Sequence, residues 1–247
     1  MARLVAENMS DILAGGDYVG VVNAPDLSAI NKIPGVKPFV LLAERIGSIQ
    51  GQLLGTSKVN NIHISLNGMD IASDSRVTEL MKSAVLKGVL GVLQDSHVSY
   101  VSAAGIAAEA GLQVSISLSE KSSNNDAGFA NTVTVELEYE GFLNMNRTIQ
   151  GTVLGDSDLR ITQIDGYDVN IPTGNNILVF NNNDEPGVMR RMAEKISSMG
   201  INIANFSLGR KELKKQVRRV YKCDDFIVYN VLLYILLVLK FCGGAIY

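Results

Sequence analysis

Apolar and polar positions change period several times along the chain, and each change marks an element. Leu4, Val5, Met9, Ile12 and Leu13 share one helical face, and Gly15-Gly16 ends that helix. Val19 to Pro25 reads as extended, and residues 26–36, with Pro34 and Gly35, as a connector. A helix is predicted from Pro38 to Leu54, with Val40, Leu41, Ala43, Ile46 and Ile49 inward. Val59 to Leu66 alternates as a half-buried strand, and Asn67-Gly68 is a turn signal. Asp74 or Ser75 caps a helix whose stripe is Leu80, Met81, Ala84, Val85, Val89 and Leu93. Val98 to Val101 reads as a short strand. Ala103 to Ala110 is a small-residue helix closed by Gly111.

Strands are then expected over Val114–Leu118 and Thr132–Tyr139, around a polar loop, and over Arg147–Val153. Asp165-Gly166 joins 160–164 to 167–169 in the strongest hairpin signal of the chain. Ile177–Phe180 is a strand, Pro186 suits a first helical residue, and Met189, Met192, Ala193, Ile196 and Met199 follow at helical spacing. Gly200 stops that helix in the manner of a left-handed C′ residue, and Ile201–Phe206 alternates as a strand. Helices and strands mix without a regular βαβ rhythm, so the class is α+β.

The turn before the last helix has a chemistry of its own. A helix start exposes backbone N–H groups and the positive end of a dipole, which suits a carboxylate. Asp184 beside it suits an ammonium, and the two together describe a free α-amino acid. The alternative is an ordinary βαβ turn with Asp184 as a cap.

The chain has 247 residues, 47% hydrophobic and 19% charged, enough for one large or two small domains with a real core. The net charge of −3 gives no basic field for nucleic acid. Cys223 and Cys242 make neither a disulfide framework nor a zinc site, and a reducing compartment is the default. No signal-peptide core opens the chain. His63 and His97 have no ligand-spaced neighbours, so both read as structural or solvent-facing, and no metal site is expected. Gly88-Val89-Leu90-Gly91 lies inside a helical pattern and is not a dinucleotide loop; phosphate-binding and nucleophile-elbow motifs are also absent.

Asn-Asn-Asp-Glu-Pro-Gly-Val at 182–188, Met-Gly-Ile-Asn-Ile-Ala at 199–204 and Leu-Gly-Arg at 208–210 resemble the ACT domain that ends D-3-phosphoglycerate dehydrogenases. Residues 37–172 are similar to the intervening domain of the long members of that family. Leu90-Gly91, Ala107 to Gly111, Ser119-Glu120, Gly151-Thr152 and Arg160 to Tyr167 carry this second likeness. The chain departs from the family at Val101-Ser102-Ala103-Ala104, where the family shows Val-Asn-Ala-Pro. The opening helix and Val22-Asn23-Ala24-Pro25 resemble the end of the family's catalytic part.

The resemblance implies four segments. These are a remnant helix and linker (1–36), a mixed α/β intervening domain (37–172), an incomplete ferredoxin-like ACT βαβ unit (173–210) and an aberrant basic and apolar tail (211–247). It implies L-serine as effector, held where two ACT domains meet by Asn182, Asp184, the backbone of Gly187 and Val188, and Asn202. It implies self-association through both domains. An anion site would include Arg160, with another of its basic positions falling on Pro172; the alternative for Arg160 is a strand residue paired with a surface carboxylate. NAD belongs to the full-length enzyme, and the catalytic domain that would hold it is expected to be missing here. No catalytic residue is therefore expected in this chain. The expected location is the cytoplasm, or the plastid stroma if a transit peptide preceded the sequence.

Residues 211–247 carry seven basic and three acidic groups. The run Phe226–Leu239 is nearly all apolar, broken only by Asn230, and at 14 residues is short for a membrane span of about 20. It reads as an anchor, as a surrogate ACT strand or helix, or as a misread gene end; the last is preferred because the resemblance stops at Arg210. Two further function classes stand beside the regulatory module: a structural or membrane-tethered protein reusing the fold, and a subunit of L-serine dehydratase.

Overall fold

The computed structural model describes residues 2–13, 21–22, 25–54, 57–68, 70–94, 97–119, 129–139, 145–174, 176–183, 186–210 and 232–241. Gly15-Gly16, Asp184, Cys223, Cys242 and the start of the apolar tail run lie outside them. The described residues are α+β, and they divide into two compact units, Met1–Asp165 and Gly166–Tyr247.

In the first unit, α1 (Ala2–Leu13) is followed by a 3-10 turn at Pro25–Ser28, α2 (Ala29–Lys32) and α3 (Val36–Leu54). Then come β1 (Val59–Asn67), α4 (Ser75–Leu93), α5 (Ala103–Glu109), β2 (Gln113–Ser119), β3 (Thr132–Tyr139), β4 (Met145–Leu154) and β5 (Asp158–Ile164). These strands order β2-β1-β3-β4-β5 in one sheet; β6 (Tyr167–Pro172), beyond the turn, falls in the second unit. β1 and β2 are parallel because α4 and α5 carry the chain across between them; β1–β3, β3–β4 and β4–β5 are antiparallel.

Alternation sorts the sheet into two faces. Ile62, Ile64, Leu66, Val133, Val135, Leu137, Ile149 and Ile161 are buried on one face, where α3 packs. The α3 positions that face inward are Phe39, Val40, Leu42, Ala43, Ile46, Gly47, Gln50 and Gly51. Leu41 was expected inside but is 42% exposed, and Leu42 takes its place. Hydrophobicity alone cannot choose between adjacent leucines; the azimuth of the helix on the sheet chooses.

Glycines set how close α3 and α4 come. A Cβ at Gly47 would stand 2.4 Å from the Val85 carbonyl oxygen, and one at Gly88 would stand 2.2 Å from that of Glu44. The two helices therefore meet backbone to backbone, which only residues without a side chain allow. Gly88 of the Gly88–Gly91 run is a packing residue of α4. Across this contact, Lys87 pairs with Glu44 at 2.9 Å and lies 4.3 Å from the Tyr100 ring centre, while the Tyr100 hydroxyl donates to Glu44.

Asp74, not Ser75, caps α4: its carboxylate accepts from the Arg76 backbone N–H at 2.9 Å and from the Arg76 guanidinium at 2.6 Å. The Arg76 hydrogen bonds hold the Asp74 carboxyl below the ordinary carboxylate range, and Asp74 raises Arg76 in turn. Val98–Val101 is not the strand that its apolar ends suggest. Ser99 and Ser102 donate backbone N–H groups to each other's hydroxyls at 2.9 and 3.1 Å, closing a turn that leads into α5.

At the end of β5, Asp165 has φ 50° and Gly166 φ 81°, the two positive values that a type I′ hairpin turn demands. The Asp165 carboxylate accepts from the Thr148 N–H at 3.0 Å and pairs with Arg147 at 3.3 Å.

In the second unit, β7 (Asn176–Asn183), α6 (Val188–Ser198), β8 (Ile201–Arg210) and β9 (Leu232–Phe241) form a three-stranded sheet with one helix. The strand order is β7-β9-β8, and β9 is antiparallel to both neighbours. β7 and β8 are thus parallel but not adjacent, the split βαβ of ferredoxin-like folds. The strand between them is formed by residues 232–241 of the apolar tail. In α6, Val188 and Ile196 are buried, and Met189, Met192, Ile201, Ile203 and Leu208 pack on Ile196. Met199, expected on this stripe, is 61% exposed because the helix ends at Ser198. Gly200 takes φ 70° and closes the helix, its N–H bonded to the Ser197 carbonyl at 3.0 Å. Ala204 lies at a bulge in β8, so Leu208 returns to the face of Ile201 and Ile203 although five residues separate it from Ile203.

Candidate functional site

The start of α6 is built differently from its expected form. Pro186 is not the first helical residue: Pro186 and Gly187 form a turn, Gly187 is the N-cap at φ 85°, and the helix begins at Val188. A positive φ at the cap explains the glycine, since a Cβ there would be strained even in open space. The first hydrogen bond of the helix runs from the Arg191 N–H to the Gly187 carbonyl at 3.1 Å. The N–H groups of Val188, Met189 and Arg190 have no acceptor within the helix, as at any helix start. Gly187 is exposed and Val188 is buried by its side chain, so Val188 anchors the turn while its backbone edges the helix end. The turn can receive an anion through backbone donors and the helix dipole.

Asn182 lies near the end of β7 and Asn202 near the start of β8. Asn182 pairs with Leu233 of β9, and Asn202 pairs with Lys240. Seven residues of β9 separate those rows, about 23 Å along a strand. Asn182, Gly187 and Val188 fall at one end of the sheet and Asn202 at the other. One copy of this unit does not bring the four together. Asp184, the expected ammonium partner, lies outside the described residues.

Arg160 of β5 has its guanidinium on both oxygens of Asp158, with contacts of 2.9 and 3.0 Å, and a side chain that remains partly exposed. His97 is exposed. His63 sits in a network absent from the sequence reading. Its Nδ1 is 2.8 Å from the Ser115 hydroxyl, and its Nε2 is 3.2 Å from Ser65 and 3.1 Å from Ser117. The signal was present in the alternate serines of β1 and β2, but only the parallel register sets Ser115 across from His63 and Ser117 across from Ser65. Among the described residues, no group of three or more His, Cys, Asp or Glu is placed to hold a metal, and no helix is long and apolar enough to cross a membrane. Gln50 is buried under the sheet; its amide donates to the Val135 carbonyl at 2.7 Å, while its Oε1 meets no partner among the described residues.

These features describe a helix-on-sheet domain with a separate split βαβ unit and an anion-competent helix start. Residues 35–165 match the family model of the D-3-phosphoglycerate dehydrogenase intervening domain, more than half of the chain. The chain belongs to that family.

Its relatives agree. It is 29% identical over 221 residues to D-3-phosphoglycerate dehydrogenase of Synechocystis sp., covering 90% of this chain and 38% of the relative. It is 31% identical over 209 residues to the enzyme of that name from Methanocaldococcus jannaschii, covering 85% and 37%. It is 25% identical over 233 residues to chloroplastic D-3-phosphoglycerate dehydrogenase 2 of Arabidopsis thaliana, covering 90% and 36%. The chain thus spans little more than a third of the length of these relatives.

Proposed function

We propose that this chain is a regulatory region of a D-3-phosphoglycerate dehydrogenase, and that it senses L-serine at a contact between two copies. Residues 37–172 serve as the intervening domain and 173–210 as the start of an ACT domain. The full-length enzyme draws on NAD and on a catalytic domain for the oxidation that opens serine synthesis; this chain contributes self-association and effector control.

The observation that supports the sensing role is the separation of Asn202 from Asn182, Gly187 and Val188. Residues about 23 Å apart in one sheet act on one small ligand only if a second copy supplies one half. The serine carboxylate meets the backbone N–H groups at Gly187 and Val188, favoured by the helix dipole. Asp184 takes the ammonium as a charge-assisted pair. Asn182 and the other copy's Asn202 hold the remaining polar groups. Serine then biases association by its preference for one arrangement, typically about 1–3 kcal/mol.

Isothermal titration with L-serine tests this. Asp184→Ala and Asn202→Ala should each weaken binding by roughly 1.5–3 kcal/mol, one to two decades in Kd. His97→Ala should leave it unchanged. Equal affinity in wild type and Asp184→Ala would remove Asp184 from the site, and no heat in wild type would remove the sensing role.

A further inference from the structure

β2 ends the first sheet, and among the described residues its outer edge carries none of the usual protection. Gln113-Val114-Ser115-Ile116-Ser117-Leu118-Ser119 has no charged residue, no proline and no bulge against β1. Natural sheets guard an edge with such devices, because unpaired N–H and C=O groups are a template for another strand. The edge is accessible: Gln113, Ser115, Ser117 and Ser119 are exposed, and Leu118 is 54% exposed.

The backbone groups that face outward follow from the ladder. The Gly68 N–H donates to the Ser119 carbonyl at 2.9 Å, so the backbone of Ser119 faces β1. The β1–β2 register runs unbroken from Asn61↔Gln113 to Asn67↔Ser119. Backbone direction alternates by residue along a strand, so Ser117, Ser115 and Gln113 also face β1, and Val114, Ile116 and Leu118 turn their N–H and C=O groups to the open edge. Side chains sort the same way. Val114, Ile116 and Leu118 stand in the rows of Ile62, Ile64 and Leu66, on the apolar face, while Ser115 and Ser117 stand in the rows of His63 and Ser65.

We propose that β2 pairs antiparallel with β2 of a second copy of this chain, about a two-fold axis at Ile116. The pattern of the strand is a palindrome about that residue. In this register Ile116 faces its own equivalent, Val114 faces Leu118, Ser115 faces Ser117, and Gln113 faces Ser119. Every outward N–H meets an outward C=O, since the three facing pairs among Val114, Ile116 and Leu118 are of the hydrogen-bonded kind. Apolar side chains meet apolar ones on one face and serines meet serines on the other. A foreign strand would find the backbone groups, but only a second copy finds both patterns repeated in register, as an isologous contact requires. The contact is one strand long, so it is a concentration-dependent dimer rather than an obligate one. This deepens the self-association named above and rests on that part of it; it does not involve the serine site.

Sedimentation equilibrium of the whole chain tests it, with circular dichroism to verify folding. Leu118→Pro removes an outward N–H and leaves the ladder to β1 whole, since proline is tolerated on an edge strand where its nitrogen faces solvent. It should weaken the dimer by about tenfold or more. S115K/S117K sets like charges opposite each other across the axis and should also dissociate the dimer, whereas S115K/S117D sets opposite charges there and should retain it. A monomeric wild type, an unchanged constant in Leu118→Pro, or equal behaviour of the two double variants would overturn the β2 contact. Because the constant is read without serine, loss of dimer in Leu118→Pro supports the contact whether or not serine binds.

Discussion

Replacing Gly88 by alanine tests the packing of α3 on α4. Helix propensity alone favours the change, since glycine in a helix interior costs about 1 kcal/mol relative to alanine. The tertiary structure opposes it. The new Cβ would stand 2.2 Å from the Glu44 carbonyl oxygen and 2.7 Å from the Ser48 nitrogen, both backbone atoms of α3 that no rotamer change can move. Restoring an ordinary contact requires the helices to part by roughly 1 Å, which forfeits a quarter to a half of each dispersion well along the seam. Overpacking of this kind costs about 1–3 kcal/mol, with a backbone clash at the upper end. After the gain in propensity, a net loss of roughly 2 kcal/mol remains, or a fall in Tm of about 4–8 °C for a domain of this size.

Gly91 is the internal control. It lies on the same helix, is exposed, and a Cβ there meets nothing within 4 Å. Gly91→Ala should therefore raise Tm by a few degrees, through propensity and a less flexible unfolded chain. Thermal melts followed by far-ultraviolet circular dichroism read both. If Gly88→Ala raised Tm as Gly91→Ala does, the close approach of α3 and α4 would be wrong.

Three further outcomes follow from named contacts. The Asp74 carboxyl is held below its ordinary value, so its stabilisation is complete above an unfolded value of 3.8 and fades as pH falls through the folded one. The Tm gap between wild type and Asp74→Asn should thus be constant above about pH 5 and close in stronger acid; a gap that widened on acidification would refute the Arg76 pairing. Asp165→Ala puts a Cβ residue other than Asn or Asp at φ 50° and removes both the Thr148 and Arg147 contacts. It should cost roughly 2–3 kcal/mol in urea unfolding, and Asp165→Asn less than about half of that; equal losses would assign the residue to charge alone. Purified chain should reduce no nicotinamide cofactor with phosphoglycerate as substrate, because no phosphate-cradling glycine loop was found in it; turnover above background would contradict that reading.

Much of the fold was legible because period follows element type. The alternation in Val59–Leu66 survives as a buried Ile62, Ile64 and Leu66, and the stripe from Leu80 to Val89 is the buried face of α4. Local chemistry also read correctly where one residue decides: Asp165-Gly166 for the hairpin and Gly200 for the helix stop. The candidate residues Asn182, Gly187, Val188 and Asn202 came from the resemblance, and the chemistry of a helix start supported only the backbone of the turn. What spacing could not show was distance, since the end of β7 and the start of β8 fall at opposite ends of the sheet once α6 carries the chain back to a parallel strand.

Position was decided by packing. Leu41 and Leu42 are equal in composition, and only the azimuth of α3 on the sheet separates them. Ser99 and Ser102 closed a turn that hydrophobicity read as a strand. The glycines of α3 and α4 were unremarkable letters until a second helix lay against them. The His63 network exists only because α4 and α5 bring β2 back parallel to β1, so that Ser115 and Ser117, about fifty residues away in sequence, fall beside it on one face. Periodicity is a local property of a strand or helix and survives in the sequence; register, azimuth and the partner across a face are relations between segments, and the free energy that settles them exists only after the segments have met.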